Sequence, residues 1–345
     1  MALRRGFAAG TFFSGRLRVD NLSQTKPHDL TETSSSSVNG ALRRIFVGEH
    51  GIRAGWSVLL FVAIYLILTA AGAPALGRLV SLEPKGPLPP TLVFLQESCD
   101  LLVVFLATWV MARIENRQLF SFGYAGDHKL VRLASGVAWG LLVLSALVGV
   151  LWKSHLLVFD GLSLTGLIAW KYALAWALVA LLVGMFEESL LRGYLQYTLS
   201  RGIGFWWAAL LLSVAFALWH IRNGGESLLG LLVVGLGGFV FCLSLWYTKS
   251  LWWAVGFHAG WDWGQSYLYG TPDSGLLAEG HLFSSHPSGN PLWSGGTTGP
   301  EGSLVMLPLV VTMATGMWIW WGRKKGPHLK GGFTARRWVG RGACD

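Results

Sequence analysis

Apolar residues in this chain run in long uninterrupted blocks, and polar ones gather in the short stretches between them. A soluble core does not need such blocks. A hydrocarbon layer about 30 Å thick takes about 20 apolar residues of helix to cross. Eight segments approach that length, at about 54–72, 91–112, 132–152, 166–199, 205–221, 228–248, 251–268 and 303–321. The pattern predicts an all-α, polytopic membrane protein with about eight transmembrane helices. The fourth is longer than a bilayer needs and is expected to tilt or protrude.

Composition agrees. Hydrophobic residues make up 52% of the 345 positions and charged ones 13%, whereas soluble domains carry about a quarter charged residues. Trp152, Trp206, Trp207, Trp252, Trp253, Trp320 and Trp321 fall near span ends. An indole has an apolar body and one donor that seeks water, so it anchors at the interface. Gly230, Gly235, Gly237 and Gly238 in the sixth span predict close helix packing.

The net charge of +9 raises nucleic-acid binding, but the basic residues sit at the two ends and in short loops. That distribution orients spans in a membrane and does not form a nucleic-acid face. Arg43, Arg44 and Arg53 precede the first span, and Arg113, Arg117, Lys129 and Arg132 separate the second from the third. Lys249 lies between the sixth and seventh, and Arg323, Lys324 and Lys325 follow the eighth. Residues 269–302 contain no Lys or Arg, while Arg78 and Lys85 are exceptions in the first outer loop. Both termini are therefore expected in the cytosol, with 269–302 an extracytoplasmic loop lacking its own core. The organisation expected is a disordered cytosolic tail at 1–47, an intramembrane domain at 48–325 and a basic cytosolic tail at 326–345. Cys99, Cys242 and Cys344 show neither disulfide nor metal-ligand spacing.

A charge at the bilayer centre costs roughly 2.5–3.5 kcal/mol or more, so each one needs a reason. Glu188 and Arg192 are four apart on a helix and can pair, which leaves Glu187, about 100° round, without a partner on its own helix. Such a carboxylate in a dry setting suits a general base. Spans four and five form a hairpin turning at Arg201–Gly204, with Glu187 and His220 about equidistant from the turn, so the two are expected to meet. His258 and Asp262, four apart on the seventh span, count as shallower than His220 by about 12 Å and 6 Å. Carboxylates and imidazoles around a polar intramembrane cavity could activate water and hold an oxyanion. Gln96, Glu97 and Asp100 form a further polar group on the second span. Structural readings compete: a lone intramembrane His often serves helix packing, and a Glu/Arg pair can be a clamp.

Glu187-Glu188 with Arg192, then Phe216 with His220, then His258 with Asp262, resemble in order the motifs of the CAAX protease and bacteriocin-processing enzyme (CPBP, or Abi) family of intramembrane glutamic endopeptidases. The resemblance covers roughly 50–325, with its diagnostic residues at about 165–265. It implies that Glu187 and His220 activate water and that His258 and residue 262 assist the tetrahedral intermediate. Glu188, Arg192 and Phe216 would be structural or auxiliary. Prenyl-protein members carry Asn where this chain has Asp262; an ionised Asp cannot donate to an oxyanion and would have to be protonated, or orient His258 instead. The resemblance further implies no cofactor, a membrane-bound peptide or protein substrate and a multi-pass place in a cell membrane such as a bacterial inner membrane. Prenylated C-termini, bacteriocin leaders and signalling peptides all stay open as substrates. The competing expectations are a zinc-dependent variant of the same protease, a non-catalytic scaffold or regulator, and a proton-coupled transporter using Glu187.

Overall fold

The computed structural model describes residues 46–48, 51–79 and 86–323. Most of the two expected tails, with Arg43, Arg44, Lys85, Lys324, Lys325 and Cys344, lies outside the described residues. After a two-stranded turn of β1 (Val47–Gly48) and β2 (Gly51–Ile52), the chain is helical at every predicted span. The helices are α1 (Ala54–Leu79), α2 (Pro90–Ile114), α3 (Lys129–Lys153) and α4 (Gly166–Glu188). A π-helical segment (Ser189–Leu195) continues α4 into α5 (Gln196–Ile203). Then come α6 (Phe205–His220), α7 (Leu228–Thr248) and α8 (Trp252–Trp263), the last extended by a π turn to Tyr269. The final span is α10 (Met306–Met317) with its π turn Trp318–Gly322, preceded by the single-turn α9 (Pro291–Ser294).

Five of these helices are long and apolar enough to cross a membrane, the α4–α5 unit being the longest at 38 residues. α6 and the 306–322 helix are apolar but shorter. Leu66, Ile67, Trp170, Leu174 and Trp207 stand 58–70% exposed. In water such a belt would be unstable, and in lipid it is the expected outer surface. The protein is an all-α, multi-pass membrane protein.

Glycine decides the tightest packing. On α3, Gly136 and Gly140 lie against α8, where a Cβ would come within 2.3 Å of the Trp253 carbonyl oxygen and 2.2 Å of that of Phe257. Gly256 and Gly260 answer from α8, with a Cβ falling 2.1 Å from the Leu133 oxygen and 2.4 Å from that of Val137. Each helix thus carries a pair of glycines four apart, and the two backbones touch. Lipid gives helices no hydrophobic drive to associate, so such close approach supplies the van der Waals contact that holds them. This pairing fixes α8, which carries His258 and Asp262.

The stretch 269–302, expected to lack its own core, is tied into the rest of the molecule. Its strand β4 (Phe283–Pro287) pairs antiparallel with β3 (Leu157–Leu162), from Leu157↔Pro287 to Leu162↔Phe283 with a bulge between Phe159 and Gly161. Leu88 bridges Ala278, and Ser294, Thr298, Glu301 and Ser303 are buried. Its many Gly, Ser and Thr residues satisfy backbone groups by turns and side-chain bonds, which hydropathy does not register.

Candidate active site

The π segment begins one residue after the two glutamates. Ser189 donates to the carbonyl of Met185 and accepts from the Tyr124 hydroxyl, while Gly193 leaves helical geometry at φ −79°, ψ −117°. A π turn bonds i to i+5 and advances less per residue than an α-helix. Glu187 and Glu188 therefore stand nearer the Gly204 turn than counting at about 1.5 Å per residue implies. The contacts correct the depth argument: His258, counted as the more distant imidazole, is the one in contact with Glu187.

His258 lies among three carboxylates. Its Nε2 is 3.4 Å from Glu187 Oε2 and 3.7 Å from Asp262 Oδ2, and its Nδ1 is 3.3 Å from Glu188 Oε1. Both nitrogens face carboxylate oxygens, so each is placed to donate. Gly184 makes this possible, since a Cβ there would stand 2.9 Å from the Val255 oxygen and 3.2 Å from His258 Cβ. The ring stacks on Phe241 at 5.6 Å between centroids.

Glu188 and Arg192 form the expected i,i+4 pair, Nη1 to Oε1 at 3.0 Å, with both side chains buried. The guanidinium sits 4.7 Å from the Phe216 ring centroid and 5.6 Å from that of Phe241. Two aromatic faces thus help to compensate a cation removed from water. Gly238 leaves the room, as a Cβ there would fall 2.5 Å from Arg192 Nη2.

His220 ends α6 with its Nδ1 2.9 Å from the Phe216 carbonyl oxygen and its ring 4.7 Å from the Phe216 ring. A carbonyl only accepts, so Nδ1 carries a proton, which leaves Nε2 as the ring nitrogen not committed to the backbone. The i,i+4 spacing of Phe216 and His220 therefore sets the tautomer. Among the described residues, the ion pairs of Glu187 run to His258 and none joins it to His220.

Glu187, His220, His258 and Asp262 nevertheless line one cavity of about 290 Å³. Gln96, Glu97 and Asp100 of α2 form another wall, and Asp273, Ser274 and Glu301 form its roof. Among the described residues, neither Lys nor Arg lines it. Sequence reasoning missed Asp273 and Glu301; the signal was that they and Glu279 are the three acids of a Gly/Ser/Thr stretch without Lys or Arg. Among the described residues no three His, Cys, Asp or Glu side chains are grouped to hold a metal ion.

Carboxylates and imidazoles from α2, α4, α6 and α8 of a multi-pass helical protein thus converge on one cavity. Residues 169–264 match the family model described as Type II CAAX prenyl endopeptidase Rce1-like, a span containing all seven motif residues. No curated protein and no solved structure matches the chain.

Proposed function

We propose that the protein is a glutamate-dependent intramembrane endopeptidase that cleaves a membrane-associated or lipidated peptide. The observation that carries this reading is the shared cavity, with the Glu187 carboxylate and the His220 ring on its wall and His258 beside them.

In this reading a water held between Glu187 and His220 gives a proton to one of them as its oxygen bonds to the scissile carbonyl carbon. The carbonyl π electrons move to oxygen, and His258 donates to the oxyanion formed, an interaction usually worth a few kcal/mol. The intermediate collapses by breaking the C–N bond, and the stored proton passes to the leaving amine. Asp262 orients His258, as an ionised carboxylate can only accept. Glu188 and Arg192 hold the opposite edge of the ring in place.

A second cavity, about 340 Å³ and almost wholly apolar, lies between α1, the α4 unit and α6. It shares Phe186, Glu187, Phe216 and Trp219 with the first. A peptide carrying a lipid or apolar segment would meet Glu187 from this side, which supports a membrane-borne substrate.

Cleavage of a membrane-embedded reporter peptide by the full-length protein in liposomes tests the assignment. Glu187→Gln and His220→Ala should each lower kcat/KM by about 10²–10⁴-fold. Cleavage by either variant at the wild-type rate would overturn the mechanism.

A further inference from the structure

The cavity roof is a tight turn, Asp273–Leu276, resting on the α6–α7 turn (residues 221–227). Asn223 Nδ2 donates to the Ser274 carbonyl at 2.9 Å, and Thr297 Oγ1 donates to that of Gly225 at 2.8 Å. The two backbones touch, since a Cβ on Gly225 would fall 2.5 Å from the Gly275 oxygen. Ser274 is held at φ +45°, a conformation uncommon for a side-chain-bearing residue. What holds it is Glu301, whose Oε1 accepts from the Ser274 N–H at 2.6 Å and from its hydroxyl at 2.7 Å.

Three carboxylates meet at this seam. Glu301 Oε2 accepts from Trp261 Nε1 at 3.3 Å, and Asp273 accepts from Gln265 at 2.8 Å and Ser266 at 3.3 Å. Glu226 faces Glu301, with His220, Thr298 and the Ser227 N–H around it, and its Oε2 is buried without a hydrogen-bond partner. Asp273 faces Asp262, Glu301 and His258. The cation of the α6–α7 turn, Arg222, lies instead on the Trp219 ring.

We propose that the Asp273–Leu276 turn and the α6–α7 turn form a proton-operated clasp that closes the cavity, and that ionisation of Glu226 and Asp273 parts it. Burial, and then the charge of Glu301, push the Glu226 carboxyl up from its ordinary 4.5 to about 7. Burial, and then Asp262, raise Asp273 well above its ordinary value. The closed form thus binds protons that an open, hydrated form releases. For Glu226 the closed form is fully favoured below the ordinary value of 4.5 and loses ground as pH rises to about 7. The equilibrium shifts by at most about tenfold per pH unit in that window and levels off above it.

Distances between spin labels test the clasp without calling on catalysis. Leu276→Cys on the roof and Leu228→Cys at the start of α7 place labels at exposed positions, in a background where Cys99 and Cys344 are serine and Cys242 is buried. In full-length protein in liposomes, the long-distance population should grow at least about fivefold between pH 5 and pH 7.5. Glu226→Gln should keep the short distance at pH 7.5. A wild-type distribution identical at both pH values overturns the proposal, as does a Glu226→Gln protein that follows the wild type. Neither outcome touches the protease reading, which stands or falls on the Glu187 variants.

Discussion

The His258 imidazole bridges neighbouring glutamates, with Nε2 3.4 Å from Glu187 and Nδ1 3.3 Å from Glu188. Adjacent residues on an α-helix point about 100° apart, so one ring reaches both only when inserted between them. The close α4–α8 approach at Gly184 puts it there.

The buried Glu188–Arg192 pair should be worth more broken than intact. Removing one partner of such a pair strands the other and costs about 3–5 kcal/mol. Arg192→Ala is expected to lower the thermal unfolding temperature and the yield of folded protein. Arg192→Lys should rescue little, because an ammonium cannot lie flat between Phe216 and Phe241. Thermal shift in detergent reads both.

Gly140→Leu on α3 should disrupt the α3–α8 contact, where no side chain fits against the Phe257 carbonyl. Overpacking of this kind typically costs about 1–3 kcal/mol. Gly149→Leu on the same helix is the control, since nothing lies within 4 Å of a Cβ there. Equal stability of the two variants would refute the packing argument.

Asp262 is assigned an orienting role, and its two replacements should differ. Asn keeps an oxygen facing His258, so Asp262→Asn should retain most activity. Asp262→Leu loses the acceptor, a contact to a charged group worth about 1.5–3 kcal/mol, and should fall about 10–100-fold in kcat/KM.

Peptide cleavage by the purified protein should survive extended treatment with a metal chelator. Both nitrogens of His258 face carboxylates, and Nδ1 of His220 faces a carbonyl. That leaves one imidazole nitrogen for any metal. Loss of cleavage on chelation, restored by zinc, would show that the carboxylates and His220 act as ligands.

Ala215 lines the apolar cleft beside Glu187. Ala215→Trp should raise KM for a membrane-embedded peptide several-fold, while a short water-soluble peptide is cleaved as before. A parallel loss for both peptides would mean that the substitution distorts the site itself.

All eight apolar segments were legible as helices, five of them long and apolar enough to cross a membrane, because apolar blocks of that length have few other uses. So was the Glu188–Arg192 pair, which depends only on helical spacing. The place of His258 was not, because it depends on the close α4–α8 approach at Gly184, which hydropathy does not register. The glycine pairs of α3 and α8 were visible as letters, but each looks ordinary until the partner helix is known. The roof escaped notice because its order comes from hydrogen bonds to Glu301 rather than from apolar residues.

The π segment also makes the site sensitive to chain length in a way that side-chain substitutions are not. The wide turn already holds one residue more than an α-turn, so a residue inserted between Gln196 and Ser200, with every apolar residue type still present, has nowhere to be absorbed. Everything on its N-terminal side would then turn by about 100° against everything beyond it. The glutamates would swing off the imidazole, leaving a protein that inserts and folds as a bundle but has lost the register on which its chemistry depends.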